Sequence, residues 1–245
     1  MTRFLSALYW AGGILAFTGF LVGPAVAWFE LAPPAAGFLI YGLASFIAVP
    51  VALAGIVVTI RGSARSRSVP LLLAVAPAAV LVNGIVKGAG HPPINDISTE
   101  LVDPPQFEHA RTLPENEGRD MMFPKEFADV IRESYPEVQR LALKRPTEEV
   151  FADAMNKANE LGWKITATRV NASSSVFEAY EVSRLFKFRD DIVVRVTGAE
   201  GGSVVDVRSK SRDGKGDLGA NAARIKRFLD MVTPPSAKID AKSEN

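Results

Sequence analysis

The sequence predicts an α+β fold in which three transmembrane helices precede a two-layer domain of antiparallel sheet packed by two helices. Three apolar stretches occupy the first 86 residues, and beyond residue 146 the order of predicted elements is one helix, four strands and one helix. A sheet with one apolar face and two amphipathic helices buries its apolar surface by placing both helices on that face.

Three stretches are predicted to cross a membrane: residues 4–29, 36–60 and 69–86. About 20 apolar residues in a helix span the hydrocarbon core, and no Lys or Arg interrupts these stretches. A buried hairpin of a soluble protein is the alternative, but a soluble helix normally carries a polar stripe. Small residues at four-residue spacing, such as Gly19 with Gly23 and Ala44 with Ala48, favour close packing between the helices.

The orientation follows from the basic residues of the short loops. The loop between the second and third stretches contains Arg61, Arg65 and Arg67, whereas the first loop contains no basic residue. We therefore expect a multi-pass protein of the cell inner membrane with a cytoplasmic amino terminus and a periplasmic C-terminal domain. A signal peptide cleaved after Ala27 is the competing interpretation of residues 1–27. It leaves the folded domain on the same side.

Composition excludes several classes of site. The chain has no cysteine, so disulfides, thiolate metal sites and cysteine nucleophiles are absent. After residue 87 there are 23 basic and 26 acidic residues, a balance that does not suggest nucleic-acid binding. His91 and His109 match no zinc spacing. We predict no metal and no cofactor, and the lipid bilayer is the one partner that the sequence requires.

The region after the membrane domain (residues 1–90) begins with a proline-rich segment, residues 91–146, which we expect to wrap over the fold. It contains a short predicted strand near residues 94–98 and a short predicted helix near residues 125–133. An α+β core is predicted over residues 147–233, followed by a disordered tail over 234–245.

The core begins with a helix over residues 147–161, for which Thr147 is the expected cap and Gly162 the stop. Trp163 is expected to cover its end. Four strands follow, and their alternating apolar and polar residues predict a half-buried antiparallel meander; we place them at residues 164–172, 176–188, 192–198 and 203–211. The final helix is predicted over residues 219–232.

The loop before the last helix contains a glycine motif, Gly214-Lys-Gly216-Asp-Leu-Gly219. It resembles the dinucleotide fingerprint, but no parallel strand follows, as a nucleotide fold requires. Two other interpretations stay open. The loop, with Arg212 and Lys215, could hold an anion at the helix amino terminus, or Asp217 could simply cap the helix.

Four pieces of the sequence together resemble one family: Pro93–Thr99, Gly162-Trp163, Asp191–Arg195 and Val207–Ile225. The family is the bacterial and plastid envelope family known as domain of unknown function 1499, and the resemblance covers about residues 91–232. It implies membrane helices or an export signal before the domain, and no established activity.

The resemblance also implies a polar signature, from which we take candidate ligand-binding residues together with Lys215 of the glycine loop. The candidates are Asp96, Thr99, Arg208, Ser211, Arg212, Lys215, Asp217, Asn221 and Arg224; Asn95 and Ser98 complete the signature. Each could instead be structural, with Arg224 paired to Asp217 across the helix start. An anion site requires that Arg212 and Arg224 converge and are not both buried in ion pairs.

Three functions are compatible with these residues. The first is a non-catalytic envelope module that binds an anionic ligand, such as a phosphate-bearing envelope component, or a membrane protein partner. The second is a membrane-anchored hydrolase that uses Asp96 with Asp191 or Asp217 as acid and base. The third is a structural subunit of a membrane complex. The adjacent Asp190 and Asp191 are otherwise expected to be solvated turn residues.

The predicted orientation can be tested by reporter fusions after Asn245. We expect active alkaline phosphatase and a dark fluorescent protein, because the domain is placed outside the cytoplasm. A fusion inside the loop around Arg65 should give the opposite pair of signals and serves as the control. Phosphatase silence with bright fluorescence after Asn245 would reverse the orientation.

Overall fold

A computed structural model describes residues 3–60 and 68–234 of the chain. It divides into two compact units. The first contains the chain up to Gly90 together with Ser183–Phe188, and the second contains His91–Val182 and the chain from Arg189 onward. The loop arginines 61, 65 and 67 and the predicted tail from residue 235 lie outside the described residues.

The first unit contains three helices: α1 (Arg3–Trp28), α2 (Pro34–Ile60) and α3 (Val69–Gly88). Each is long and apolar enough to cross a membrane. Most of their large apolar side chains face outward, as in Leu21 and Leu43, which suits a lipid environment. The three helices predicted from the sequence are confirmed, and they indicate a multi-pass membrane protein.

Small residues bring α1 and α2 together. A Cβ atom added to Gly23 would lie 2.6 Å from the carbonyl oxygen of Gly37, and one added to Gly19 would lie 2.8 Å from the Cβ of Ala44. Ala44 is buried beside Gly19, and Ala48 is buried in a cluster with Ala16 of α1 and Ala74 of α3. The predicted four-residue spacing is therefore used for packing within the chain.

The second unit is built on a six-stranded antiparallel sheet. Its strands are β1 (Asp96–Ser98), β2 (Leu141–Leu143), β3 (Lys164–Val170), β4 (Ser174–Val182), β5 (Arg189–Ala199) and β6 (Gly202–Ser211). The order is β1-β6-β5-β4-β3, and β2 pairs with β6 beside β1. The predicted α+β class and the four-strand meander are confirmed, whereas β2 was not predicted.

Three helices accompany the sheet: α4 (Phe127–Ser134), α5 (Thr147–Glu160) and α6 (Ala220–Val232). Two short 3₁₀ turns, Ala110–Thr112 and Pro114–Asn116, precede them. The expected cap of α5 is wrong: Pro146 occupies the cap position and no side chain caps the helix. Pro is suited to this end of a helix because its missing N–H would have no partner there.

One face of the sheet forms the main core. Val194 of β5 and Val207 of β6 are fully buried in one cluster with side chains of α5 and α6. Trp163 stacks on Phe228 of α6 with ring centroids 4.8 Å apart. Trp163 is therefore a core residue, as predicted.

The hairpin between β4 and β5 differs from the prediction. The predicted strand over residues 176–188 ends at Val182, and β5 begins three residues earlier than expected, at Arg189. Asp190 and Asp191 are consequently strand residues with exposed fractions of only 8% and 2%. The expectation of solvated turn residues is wrong because both carboxylates pair with buried arginines.

We expect residues 91–235, which contain the sheet and helices of the second unit together with the segment Ser183–Phe188, to fold alone as a soluble α+β monomer. Its main core lies within the sheet and the helices of this unit. Circular dichroism and cooperative thermal melting measure this, and an unfolded or aggregated product would contradict it.

The side chain of Phe186 packs on α2 in the full chain and would be exposed in residues 91–235 alone. Phe186→Ser should therefore increase the solubility of this fragment without lowering its melting temperature.

Candidate functional site

The candidate site lies on the second face of the sheet, opposite the main core. Asp191 of β5 pairs in register with Lys210 of β6, which pairs in register with Asp96 of β1. Residues that share a register row project to the same face. The sheet topology thus brings together an ammonium group and two carboxylates that are distant in sequence.

The most buried element of this face is an ion pair between Asp96 and Arg208, both with no exposed surface. Arg208 donates Nε to Asp96 Oδ1 at 2.9 Å and Nη2 to Oδ2 at 2.8 Å. It also donates to the carbonyl oxygens of Pro105 and Met121. Such a pair is tolerated in the interior only when further hydrogen bonds satisfy it, and Arg208 has them.

A second buried pair joins Asp191 to Arg212. The guanidinium donates two hydrogen bonds, of 2.9 and 2.7 Å, to the carboxylate. Asn116 donates a third to Asp191 Oδ2 at 3.0 Å. The amide oxygen of Asn116 is buried and accepts no hydrogen bond from the described part of the protein. An unsatisfied buried acceptor is costly, so this atom would gain from a donor supplied by water or a ligand.

Arg224 is the centre of a third cluster. Its guanidinium bonds to Glu181 and Asp190 and also donates to Asn221 and to the Ser209 hydroxyl. Burial raises the pKa of Asp190, and the nearby charge of Arg224 opposes that rise. The expected pairing of Arg224 with Asp217 is wrong, because the carboxylates of β4 and β5 hold Arg224 instead.

Asp217 caps α6. Its carboxylate accepts the backbone N–H of Gly219 at 2.9 Å and that of Asn221 at 2.7 Å. This supports the structural interpretation of the glycine loop, since two of the N–H donors that could bind an anion near the helix amino terminus are engaged by this carboxylate. Lys215 is exposed on the same loop.

The other candidate residues hold strands together. The side chain of Asn221, fully buried, donates to the backbone oxygen of Asn95 and to the Ser211 hydroxyl. The Thr99 hydroxyl accepts the backbone N–H of Val207 at 2.9 Å. These residues therefore join β1 to β6 and β6 to α6.

A cavity of about 240 Å³ opens beside the Asp191–Arg212 pair. Two predicted residues, Ser211 and Arg212, line it together with Asn95 of the signature. The remaining lining residues are Asn116, Arg119, Asp120, Met121, Asp191 and Lys210. A larger cavity of about 380 Å³ includes Thr99 as its one candidate residue. Burial raises the pKa of Tyr135 in its wall to about 12, so this phenol stays protonated as a hydrogen-bond donor.

The profile of one protein family, described as a protein of unknown function (DUF1499), matches residues 96–232. This is more than half of the chain. The chain belongs to the DUF1499 family. The predicted resemblance is thereby confirmed. Comparison with curated proteins and with solved structures gives no match.

The DUF1499 domain contains polar residues that the sequence did not single out. Glu178 of β4 is buried, and its carboxylate accepts the backbone N–H groups of Glu108, His109 and Ala110 at 2.8–2.9 Å. Asn116 likewise contacts Asp191, 75 positions away. Glu178 could have been noticed in the sequence as an acidic residue within a predicted strand. No sequence feature of the proline-rich segment sets Asn116 apart from its neighbours.

Metal binding is not indicated in the described parts of the DUF1499 protein. Residues 3–60 and 68–234 contain no group of three or more His, Cys, Asp or Glu that could hold an ion. His91 instead lies 3.3 Å from the Tyr135 hydroxyl. The clustered carboxylates of the second sheet face are neutralised by arginine and lysine.

Replacing Arg208 should strongly destabilise the DUF1499 domain. Arg208→Leu leaves the buried carboxylate of Asp96 with Lys210 alone, and breaking a buried pair typically costs about 3–5 kcal/mol. Arg119→Leu is the control, since its pair with Asp213 is about one-third exposed and such pairs contribute at most about 1 kcal/mol.

Urea unfolding followed by circular dichroism measures both variants. Adding Asp96→Asn to Arg208→Leu should recover part of the lost free energy, because it removes the unpaired charge. Equal losses for Arg208→Leu and Arg119→Leu would contradict the central role of the buried pair.

Proposed function

We propose that the protein is a membrane-anchored, non-catalytic binding module. Its ligand site is the 240 Å³ cavity beside Asp191 and Arg212. The observation that carries the proposal is the composition of this cavity. Its polar lining surrounds the buried carboxylate of Asp191. It also includes Asn116, whose amide oxygen has no hydrogen-bond partner in the described part of the protein.

The ligand that suits this cavity is small and rich in hydroxyl groups, such as one sugar or glycerol unit of an envelope component. Lys210 donates one hydrogen bond to Asp96, and an ammonium group has three protons to donate. Asp120, which is exposed, accepts a bond from the backbone of Met122 and can accept more. A hydroxyl group both donates and accepts hydrogen bonds, so it can accept one from the Lys210 ammonium group and donate one to the Asp120 carboxylate.

An anionic ligand receives less support than the sequence suggested. Arg208, Arg212 and Arg224 are each paired with at least one carboxylate, and Arg212 and Arg224 are both buried. Their charges are therefore already compensated. Lys215 keeps an exposed charge on the glycine loop, but Asp217 occupies the helix amino terminus beside it.

The two alternative functions receive weaker support. A hydrolytic pair of Asp96 with Asp191 or Asp217 would need two carboxyl groups that share a proton, yet Asp96 and Asp191 each bind an arginine with both oxygens. A structural subunit would use small-residue helix faces for a partner, but Gly19, Gly23 and Ala44 are used between α1 and α2.

The location proposed for this module is the periplasmic side of an inner membrane. Its support is the sequence argument alone: three arginines in the second loop and none in the first. A periplasmic module would meet sugar- and glycerol-containing envelope components, which is compatible with the proposed ligand class.

Titration calorimetry of the full chain in nanodiscs tests the ligand class. The probes are glucose and glycerol for neutral hydroxyl groups, and inorganic phosphate and glycerol phosphate for the anionic alternative. We expect saturable binding of a neutral probe that Asp120→Asn weakens about tenfold, the effect of losing one hydrogen bond to a charged group.

Asp129→Asn is the matched control, because Asp129 is an exposed acid of α4 that pairs with Arg132 outside the cavity. It should leave the affinity unchanged. Binding of the anionic probes alone would restore the anion hypothesis and reject the hydroxyl ligand. Absence of saturable binding of every probe would reject the cavity as a site for these classes.

A further inference from the structure

The hairpin tip between β4 and β5, Ser183–Phe188, carries two basic and three apolar residues in six positions. It belongs to the same compact unit as the membrane helices. Phe186 contacts α2 edge-on, with ring centroids 5.4 Å from Phe38 and 5.1 Å from Tyr41. This tip therefore lies against the first two turns of a candidate transmembrane helix.

The tip is also fixed to the end of α1. The indole N–H of Trp28 donates to the carbonyl oxygen of Arg184 at 3.1 Å. The ammonium group of Lys187 lies 3.3 Å from the centre of the Trp28 ring. The backbone of Lys187 has a φ of +59°, a conformation that residues other than glycine rarely adopt. The fold thus holds this lysine in place at a strained position.

The depth of the tip in a bilayer follows from helix geometry. The 27 residues of α2 extend about 40 Å at 1.5 Å per residue, whereas the hydrocarbon core is about 30 Å thick. About 5 Å at each end then reaches the headgroup layer. Phe38 and Tyr41 lie four and seven residues after the start of α2 at Pro34. The tip therefore meets α2 at the boundary between headgroups and hydrocarbon.

The surface around the tip has the composition of an interfacial patch. Leu185, Trp28, Phe29 and Leu31 have exposed fractions of 46%, 55%, 76% and 73%. Aromatic rings and basic side chains concentrate at this depth in membrane proteins. Glu30 is the one acid of the sequence in residues 28–41 and 183–188, against the two cations Arg184 and Lys187.

We propose that the hairpin tip Ser183–Phe188, with Trp28, Phe29 and Leu31, is an interfacial anchor that binds the headgroups of anionic phospholipids. Leu185 and Phe29 enter the upper hydrocarbon layer. Trp28, whose ring the Lys187 ammonium group covers, stays at the headgroup boundary, and the side chains of Arg184 and Lys187 reach the phosphates. The lipid contact would fix the hairpin to the membrane from which α1 and α2 emerge. This proposal is independent of the ligand cavity.

Hydrogen exchange of the full chain in nanodiscs tests the anchor. The exchange rates of amides 183–188 are compared in nanodiscs of phosphatidylcholine and in nanodiscs that also contain about 30% phosphatidylglycerol, which gives the membrane a negative surface potential. Protection should be higher with the anionic lipid. In the anionic nanodiscs, the double variant Arg184→Gln/Lys187→Gln should lower the protection factors of these amides about thirtyfold. Each cation strengthens binding to an anionic surface about fivefold.

The matched control is Arg111→Gln/Lys125→Gln, which removes the same charge from two exposed positions outside the patch. It should behave as the wild type. Unchanged exchange of the amides of β5 and β6 checks that the variants are folded. Equal protection in both lipids, or loss of protection in Leu185→Ser without any effect of the charge variant, would overturn headgroup binding.

Discussion

The buried ion pair between Asp96 and Arg208 is the interaction on which the DUF1499 domain depends. It joins the first strand after the membrane helices to the last strand of the sheet. Arg208 then reaches further and binds the backbone at Pro105 and Met121, with its guanidinium 4.7 Å from the centre of the Phe107 ring. One side chain thereby fixes a strand, an extended segment and an aromatic side chain.

The same principle is repeated across the second sheet face. Arg195 donates to the backbone and side chain of Asp103, and Glu178 collects three consecutive N–H groups around residue 109. A segment with few regular elements cannot satisfy its own backbone groups. Charged side chains of the sheet satisfy them instead, which explains how a proline-rich segment can cover a sheet as a helix would. Desolvating these charges costs free energy, and the small apolar cluster of Phe107, Met121 and Val193 offsets part of it.

Most of the fold follows from local patterns, and the candidate site does not. The period of apolar residues was sufficient for the three membrane helices, α5, α6 and the four-strand meander. Strand β2 has only three residues and no local pattern. The start of β5 differs from the prediction because two adjacent aspartates are typical of a turn. Asp190 and Asp191 are stable in a strand only because Arg224 and Arg212 pair with them, and the sequence does not reveal these pairs. The family resemblance pointed to these polar residues only as a group. Their partners lie up to 126 positions away, and no spacing rule connects such positions.

The arrangement of the strands also determines how this sheet can meet other chains. One edge of the described sheet is formed by β1 and β2, each of three residues, which are too short to template a further strand. The other edge is β3, where an irregular register between Ile165 and Ala167 interrupts the ladder and the basic residues Lys164 and Arg169 flank it. Short strands, bulges and charged side chains at an edge all discourage the addition of another strand. Copies of this domain crowded on one membrane surface would therefore resist edge-to-edge aggregation.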